Sequence, residues 1–139
     1  MKEPKKTKII KLKDFKITEL NYNYNINSKL KELTIGLKYK VEFNESSNKR
    51  YSVIFHLLIE NIEQEFVLEC KAVALFETSK PIDKDFKISN FVQTNSPAIA
   101  FPFLRSFINT FTTNAGIKPI ILPAFNFAAA KEVTKEEKE

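Results

Sequence analysis

From Leu33 the apolar residues take the odd positions, Leu33, Ile35, Leu37, Tyr39, Val41 and Phe43, while Lys38, Lys40 and Glu42 take even ones. Side chains of a strand alternate between its faces, so this pattern predicts a half-buried strand with one apolar and one charged face. The polar stretch Glu45-Ser46-Ser47-Asn48-Lys49 predicts a hairpin connection. A second strand follows over Arg50 to Glu60, with Tyr51, Val53, Phe55, Leu57 and Ile59 on one parity. After a turn around Asn61 to Gln64, a third run sets Phe66, Leu68, Cys70, Ala72, Ala74 and Phe76 against a more polar row. Upstream, Ile10, Leu12, Phe15, Ile17 and Leu20 predict a further strand whose slip in phase near Asp14 suggests a bulge, and Asn21 to Asn27 reads as a loop.

The pattern changes after Phe76. Residues 77 to 96 mix polar residues and Pro81 with isolated apolar ones and read as a long crossover. Ile99, Phe103, Phe107 and Phe111 then recur every four residues beside Leu104 and Ile108, which predicts the main helix. Proline in a helix interior loses a hydrogen bond and clashes with the preceding turn, so a start near Phe101 places Pro102 in the first turn. Gly116 suits a left-handed cap and Pro119 blocks continuation. Pro119 to Phe125 then runs extended and is expected to expose Ile120, Ile121 and Leu122, and Ala128, Ala129 and Ala130 suggest a short C-terminal helix that frays into solvent. The expected fold class is α+β: a four-stranded antiparallel meander with one long helix and a short C-terminal helix packed on one face.

Composition sharpens this picture. With 139 residues, 43% of them hydrophobic, the chain suits one domain with a real core. Thirteen Phe and four Tyr are more than such a core demands, so some rings are expected to face a partner. Seven Lys and two acids within residues 1 to 16 account for the whole net charge of +5, which concentrates the basicity in an N-terminal arm. Residues 1–8 read as a basic flexible arm, 9–130 as the folded domain and 131–139 as a charged tail. No element suited to reading a nucleic-acid groove accompanies the arm, so a nucleic-acid role is not expected.

Little chemistry is on offer. One Cys and one His exclude an internal disulfide and a zinc set of the usual kind, and a reducing cytosol fits. Ile9 and Ile10 are followed at once by Lys11, Lys13 and Asp14, so no signal-peptide core is present. The longest apolar stretch, Ala98 to Leu104, is far shorter than the roughly 20 residues that cross a bilayer, so no membrane insertion is expected. There is no nucleophile elbow, phosphate-binding glycine loop or buried acid pair, so neither enzyme activity nor a cofactor is expected. His56 reads as a partly covered strand residue and Cys70 as a small core residue.

The second half carries two ordered strings, Asn95-Ser96-Pro97-Ala98-Ile99-Ala100-Phe101-Pro102-Phe103-Leu104-Arg105 and Gly116-Ile117-Lys118-Pro119-Ile120-Ile121-Leu122-Pro123-Ala124-Phe125-Asn126-Phe127. Together with Phe66-Val67-Leu68-Glu69-Cys70 and Leu75-Phe76, this order resembles the SecB protein-export chaperone family, with agreement in spacing over roughly residues 30 to 128. The resemblance implies a sheet with helices on one face, assembled as a homotetramer, a dimer of dimers with the main helices in the middle. It also implies ATP-independent holding of unfolded polypeptide clients in apolar grooves. By motif match Phe66 and Phe127 would line the groove; parity and position add Leu37, Ile121 and Leu122.

Glu69 matches the outer-strand position through which secretory members contact the SecA motor. Lys38 and Lys40 share that outer face, Lys16 lies near where the family shows acid, and the tail is of mixed sign. Like charges disfavour docking of a basic motor tail there. Clients could thus be preproteins, or an antitoxin guarded by a solitary chaperone of a toxin-antitoxin system. A different class, an interaction module whose basic arm binds nucleic acid or an acidic protein, predicts steeply salt-dependent binding.

Overall fold

The computed structural model describes residues 9–128 and the backbone of 132–137. The basic arm, residues 1–8, and the alanines at 129 and 130, where a short helix was expected, lie outside the described residues. Five strands form one antiparallel sheet: β1 (Ile10–Tyr24), β2 (Leu33–Phe43), β3 (Arg50–Glu60), β4 (Phe66–Thr78) and β5 (Glu132–Glu137). Their order is β1-β4-β3-β2-β5.

The α+β class is as expected, with four long strands and the helices on one face, but the order departs from a simple meander. Only β2, β3 and β4 are joined by consecutive hairpins; β1 crosses over to pair with β4, the arrangement of a Greek key. The alternation of each strand is visible in the sequence, whereas its neighbour is decided by which edge the chain reaches after a connection.

β1 contains the expected irregularity between Leu12 and Asp14 and a second between Ile17 and Glu19. It also runs to Tyr24, through residues expected to be a loop. Asn is a poor strand former, yet Tyr22 and Tyr24 alternate onto the inner face and each meets Phe66 edge-on, at 5.9 and 6.0 Å between ring centroids.

The inner face is a continuous row of buried side chains: Leu33, Ile35 and Leu37 on β2, Tyr51 to Ile59 at alternate positions on β3, and Phe66 to Phe76 on β4. Full burial of each large apolar side chain stabilises by roughly 1.5–3 kcal/mol, so this face dominates the fold. Three elements cover it: a short helix α1 (Lys84–Ile88), a π-helical turn at Phe91–Asn95, and α2 (Ser96–Asn114). The crossover is therefore more structured than its mixed composition suggests. The Asp83 side chain caps α1 by accepting from the Phe86 backbone N–H at 2.8 Å.

α2 begins five residues before the expected start and holds Pro102 in its interior. Pro102 denies a partner to the carbonyl of Ala98, but both residues are exposed, so water can satisfy that oxygen. The earlier start lets Pro97 occupy the first turn and buries Ser96, whose hydroxyl lies 2.6 Å from that of Tyr51. At the other end Gly116 adopts φ +84°, and the Gly116 and Ile117 N–H groups donate to the Thr113 and Thr112 carbonyls. This is a Schellman cap, in the expected place.

Residues 132–137 form a strand along β2, where fraying into solvent was expected. An exposed strand edge recruits a partner through its unpaired N–H and C=O groups, whatever the composition of that partner.

Candidate functional site

α2 presents two apolar arcs. One is buried against the sheet through Ala100, Phe101, Leu104, Ile108 and Thr112. The other, Ile99, Phe103 and Phe107, leaves Ile99 43% and Phe103 52% exposed. Between this second arc and the inner side of β1 runs a groove of about 530 Å³, lined by Leu12, Phe15, Ile17, Phe103 and Phe107 among others. The rings of Phe15 and Phe103 meet there at 5.8 Å. Periodicity of Ile99, Phe103 and Phe107 predicted the helix without separating the two arcs; the surplus of Phe over core demand was the signal that one of them is open.

After α2 the chain runs extended and alternates strictly: Ile120 and Leu122 are buried, while Ile121 is 55% exposed. Two hydroxyls hold this segment down. Thr112 Oγ1 accepts from the Ile120 N–H at 2.9 Å while donating to the Ile108 carbonyl at 2.8 Å. The Tyr39 hydroxyl lies 3.1 Å from both the Phe127 and the Gln93 carbonyl oxygens, so it ties the extended segment and the crossover to β2. Burial raises the pKa of Tyr39, which keeps it a donor.

Of the residues expected to line a groove, only Ile121 reaches the surface of the protomer. Leu37, Phe66 and Leu122 are fully buried and Phe127 nearly so. Phe127 sits in an aromatic group with Tyr39 and Phe101, at centroid distances of 5.3 and 5.6 Å. Phe66 belongs to another, with Tyr22 and Tyr24, and Tyr22 in turn meets Phe111 at 5.2 Å. The structure thus brings Phe127, Leu122 and Ile121 together along one segment and sets Phe66 and Leu37 in the layer beneath the helical cover.

The outer face of the sheet is uncovered by helices and mixed in charge. Glu69 faces outward and its Oε2 lies 2.7 Å from His56 Nε2. Lys71 reaches Glu19 at 3.5 Å, and Lys40 reaches Glu42 at 2.9 Å. A cavity of about 330 Å³ opens among Lys38, Lys40, Ile54, His56 and Lys71. Glu69 is therefore one acid already engaged by an imidazole among several lysines. On the opposite side of β4, burial and the neighbouring Glu69 push the Cys70 thiol up to about 12, so it stays protonated and inert at neutral pH. Among the described residues, no helix is long and apolar enough to cross a membrane.

Comparison with known proteins places these features. The family model "Preprotein translocase subunit SecB" matches residues 6–137. An uncharacterized protein of Methanocaldococcus jannaschii is 32% identical over 112 residues, covering 77% of this chain and 70% of that protein. The protein-export protein SecB of Anaplasma phagocytophilum is 28% identical over 120 residues, covering 82% and 72%. Among solved structures, the Mycobacterium tuberculosis SecB-like chaperone in complex with a ChAD peptide from the HigA1 antitoxin superposes with a TM-score of 0.66 at 13% identity, covering 82% of this chain and 86% of that one. A Streptococcus agalactiae protein of unknown function superposes with a TM-score of 0.51 at 15% identity, covering 86% of this chain and 100% of that one.

Proposed function

The chain belongs to the SecB family, and from that premise we propose that it is a cytosolic holding chaperone that binds unfolded polypeptide without nucleotide or chemistry. One observation carries the reading: apolar surface remains open around a core that is already full. The sheet and the inner arc of α2 are sealed, yet Ile99, Phe103 and Ile121 project into solvent. Removing apolar client surface from water yields roughly 25 cal/mol per Å² and requires no particular client sequence, which is the selectivity a holder of unfolded chains needs.

In this reading the open surface divides between two tasks. Ile99, Phe103 and the groove beside β1 receive a second copy, in a homotetramer with the α2 helices in the middle. Ile121 meets the client from the surface of the extended segment, with Leu122 and Phe127 packed beneath it, whereas Leu37 and Phe66 are sealed in the core of the protomer. The outer face supports holding more than export. Glu69, the matched motor contact, is engaged by His56, and Lys16, Lys38 and Lys40, with Asp14 and Glu42 beside them, make the face mixed in charge where a basic SecA tail needs it acidic. Guarding an antitoxin makes no demand on that face and is the reading it favours.

Aggregation of a urea-unfolded test protein, followed by light scattering without ATP, tests the proposal. Wild-type chain should suppress it at stoichiometric amounts, and suppression should survive 0.5 M salt, a concentration at which the Debye length is only about 4–5 Å. Absence of suppression, or its loss in salt, favours the basic-arm interaction module instead. Ile121→Ser should weaken suppression while sedimentation still reports the intact oligomer. A SecA tail peptide retained by wild type and released by Glu69→Gln would restore the export role.

A further inference from the structure

The edge of β2 carries a second feature. Residues 132–137 pair with Leu33–Lys38 in antiparallel register, which sets Glu137 opposite Leu33, Lys135 opposite Ile35 and Val133 opposite Leu37. Leu33, Ile35 and Leu37 are the buried apolar row of β2. The register thus places residues of charged type, Lys135 and Glu137, opposite two of the three positions of that apolar row. Lys and Glu are also poor strand formers, and this segment is built largely from them. The resident strand matches its edge by backbone pairing far better than by sequence.

The edge itself is made for a better occupant. β5 leaves Tyr39–Phe43 of β2 beyond its register, so the edge is longer than the strand on it. Gly36, one of two glycines in the chain, stands mid-way along the paired stretch, opposite Thr134. Glycine inside a strand lets another chain approach closely and leaves room for a bulky cross-strand neighbour. Such room is present: a cavity of about 250 Å³ on the outer face is lined by Gly36, Lys38, His56 and Leu58.

Resting on the chaperone reading, we propose that the β2 edge is a client site that works by strand addition. Its occupant is an extended segment of unfolded polypeptide with aliphatic residues at alternate positions, and residues 132–137 are a weak internal competitor that it displaces. Main-chain hydrogen bonds supply affinity for any extended client, and the row Leu33, Ile35, Leu37 selects apolar alternation.

The test uses the full chain and a fluorescent ten-residue peptide alternating Val or Leu with Thr. Two variants push the competition in opposite directions. In Val133→Pro/Thr134→Pro, one of two adjacent N–H groups points at β2, so a bond to it is lost. Peptide affinity should rise at least about threefold. In Lys135→Val/Glu137→Val the resident strand fits the apolar row, and affinity should fall by a similar factor, well within what about 1 kcal/mol of competition produces. Bound peptide should slow amide exchange in residues 33–38 of the proline variant. Equal affinity in wild type and both variants, without protection of 33–38, overturns the strand-addition site while aggregation suppression persists. Loss of suppression in wild type itself overturns the chaperone reading and this site together.

Discussion

Phe101 and Phe103 lie two residues apart on one helix, and their fates differ. Phe101 is 7% exposed and packs edge-on to Phe125 at 5.2 Å, whereas Phe103 is 52% exposed and meets only the rim of a groove through Phe15. A surface helix needs one apolar arc to stay on its sheet; a second arc costs solubility unless something covers it. The buried arc is thus explained by folding, and the open arc is the surface that the proposed oligomer would cover.

Substitution on each arc should separate these roles. Leu104→Ala, on the buried arc, leaves a cavity under α2 and should cost about 2–5 kcal/mol in urea unfolding. Phe103→Ser, on the open arc, should cost the protomer less than Leu104→Ala, about 1 kcal/mol, since the ring is 52% exposed before the change, but should shift the proposed oligomer toward smaller species in light scattering. Comparable destabilisation by the two changes would mean that both arcs are core.

Alkaline pH sharpens the comparison further, because its largest effects belong to the sealed side. Burial pushes Tyr51 up to about 12, against a smaller opposing effect of its Ser96 hydrogen bond, and pushes the Cys70 thiol to about 12 from 9.0. A folded-state pKa raised above the unfolded one contributes stability that is complete below the unfolded value and lost as pH climbs through the folded one. Unfolding midpoints should therefore fall between about pH 9 and 12. In Tyr51→Phe the part of that fall above pH 10 should shrink, with an overall cost of about 1 kcal/mol for stranding the Ser96 hydroxyl. The smallest effect is expected on the outer face: Lys40→Ala breaks an exposed ion pair with Glu42 and should change stability by less than about 0.5 kcal/mol.

Much of this was legible in the residue order. The alternation Leu33 to Phe43 and Tyr51 to Ile59 predicted two strands at their observed bounds, the phase slip at Asp14 predicted a bulge, and Gly116 predicted the cap. The start of α2 was missed because Pro102 was weighed without the exposure that makes an interior proline tolerable. Tyr24 was missed because the Asn-rich composition around it hid two tyrosines of the same parity. For the candidate site, the residues were legible and their placement was not. Ile120, Ile121 and Leu122 were all expected at the surface and only Ile121 of the three is there; Ile120 and Leu122 are sealed, as are Phe66 and Leu37, of the same apolar character.

The local periodicities and the family strings thus determined by themselves the three strands between Leu33 and Phe76, most of β1, the existence of the main helix, the apolar side of each of these strands, and the family. Such properties depend on neighbours within a few residues, which any reading of order can count. Only the tertiary structure decided that β1 pairs with β4, that β5 closes the β2 edge, and that α2 keeps one arc of phenylalanine open. Those outcomes depend on which surfaces meet after long connections, and apolar burial, being non-directional, writes no partner into the sequence. The surplus of aromatic residues announced that something would be left uncovered; the packing of the sheet selected Phe103, Ile99 and Ile121.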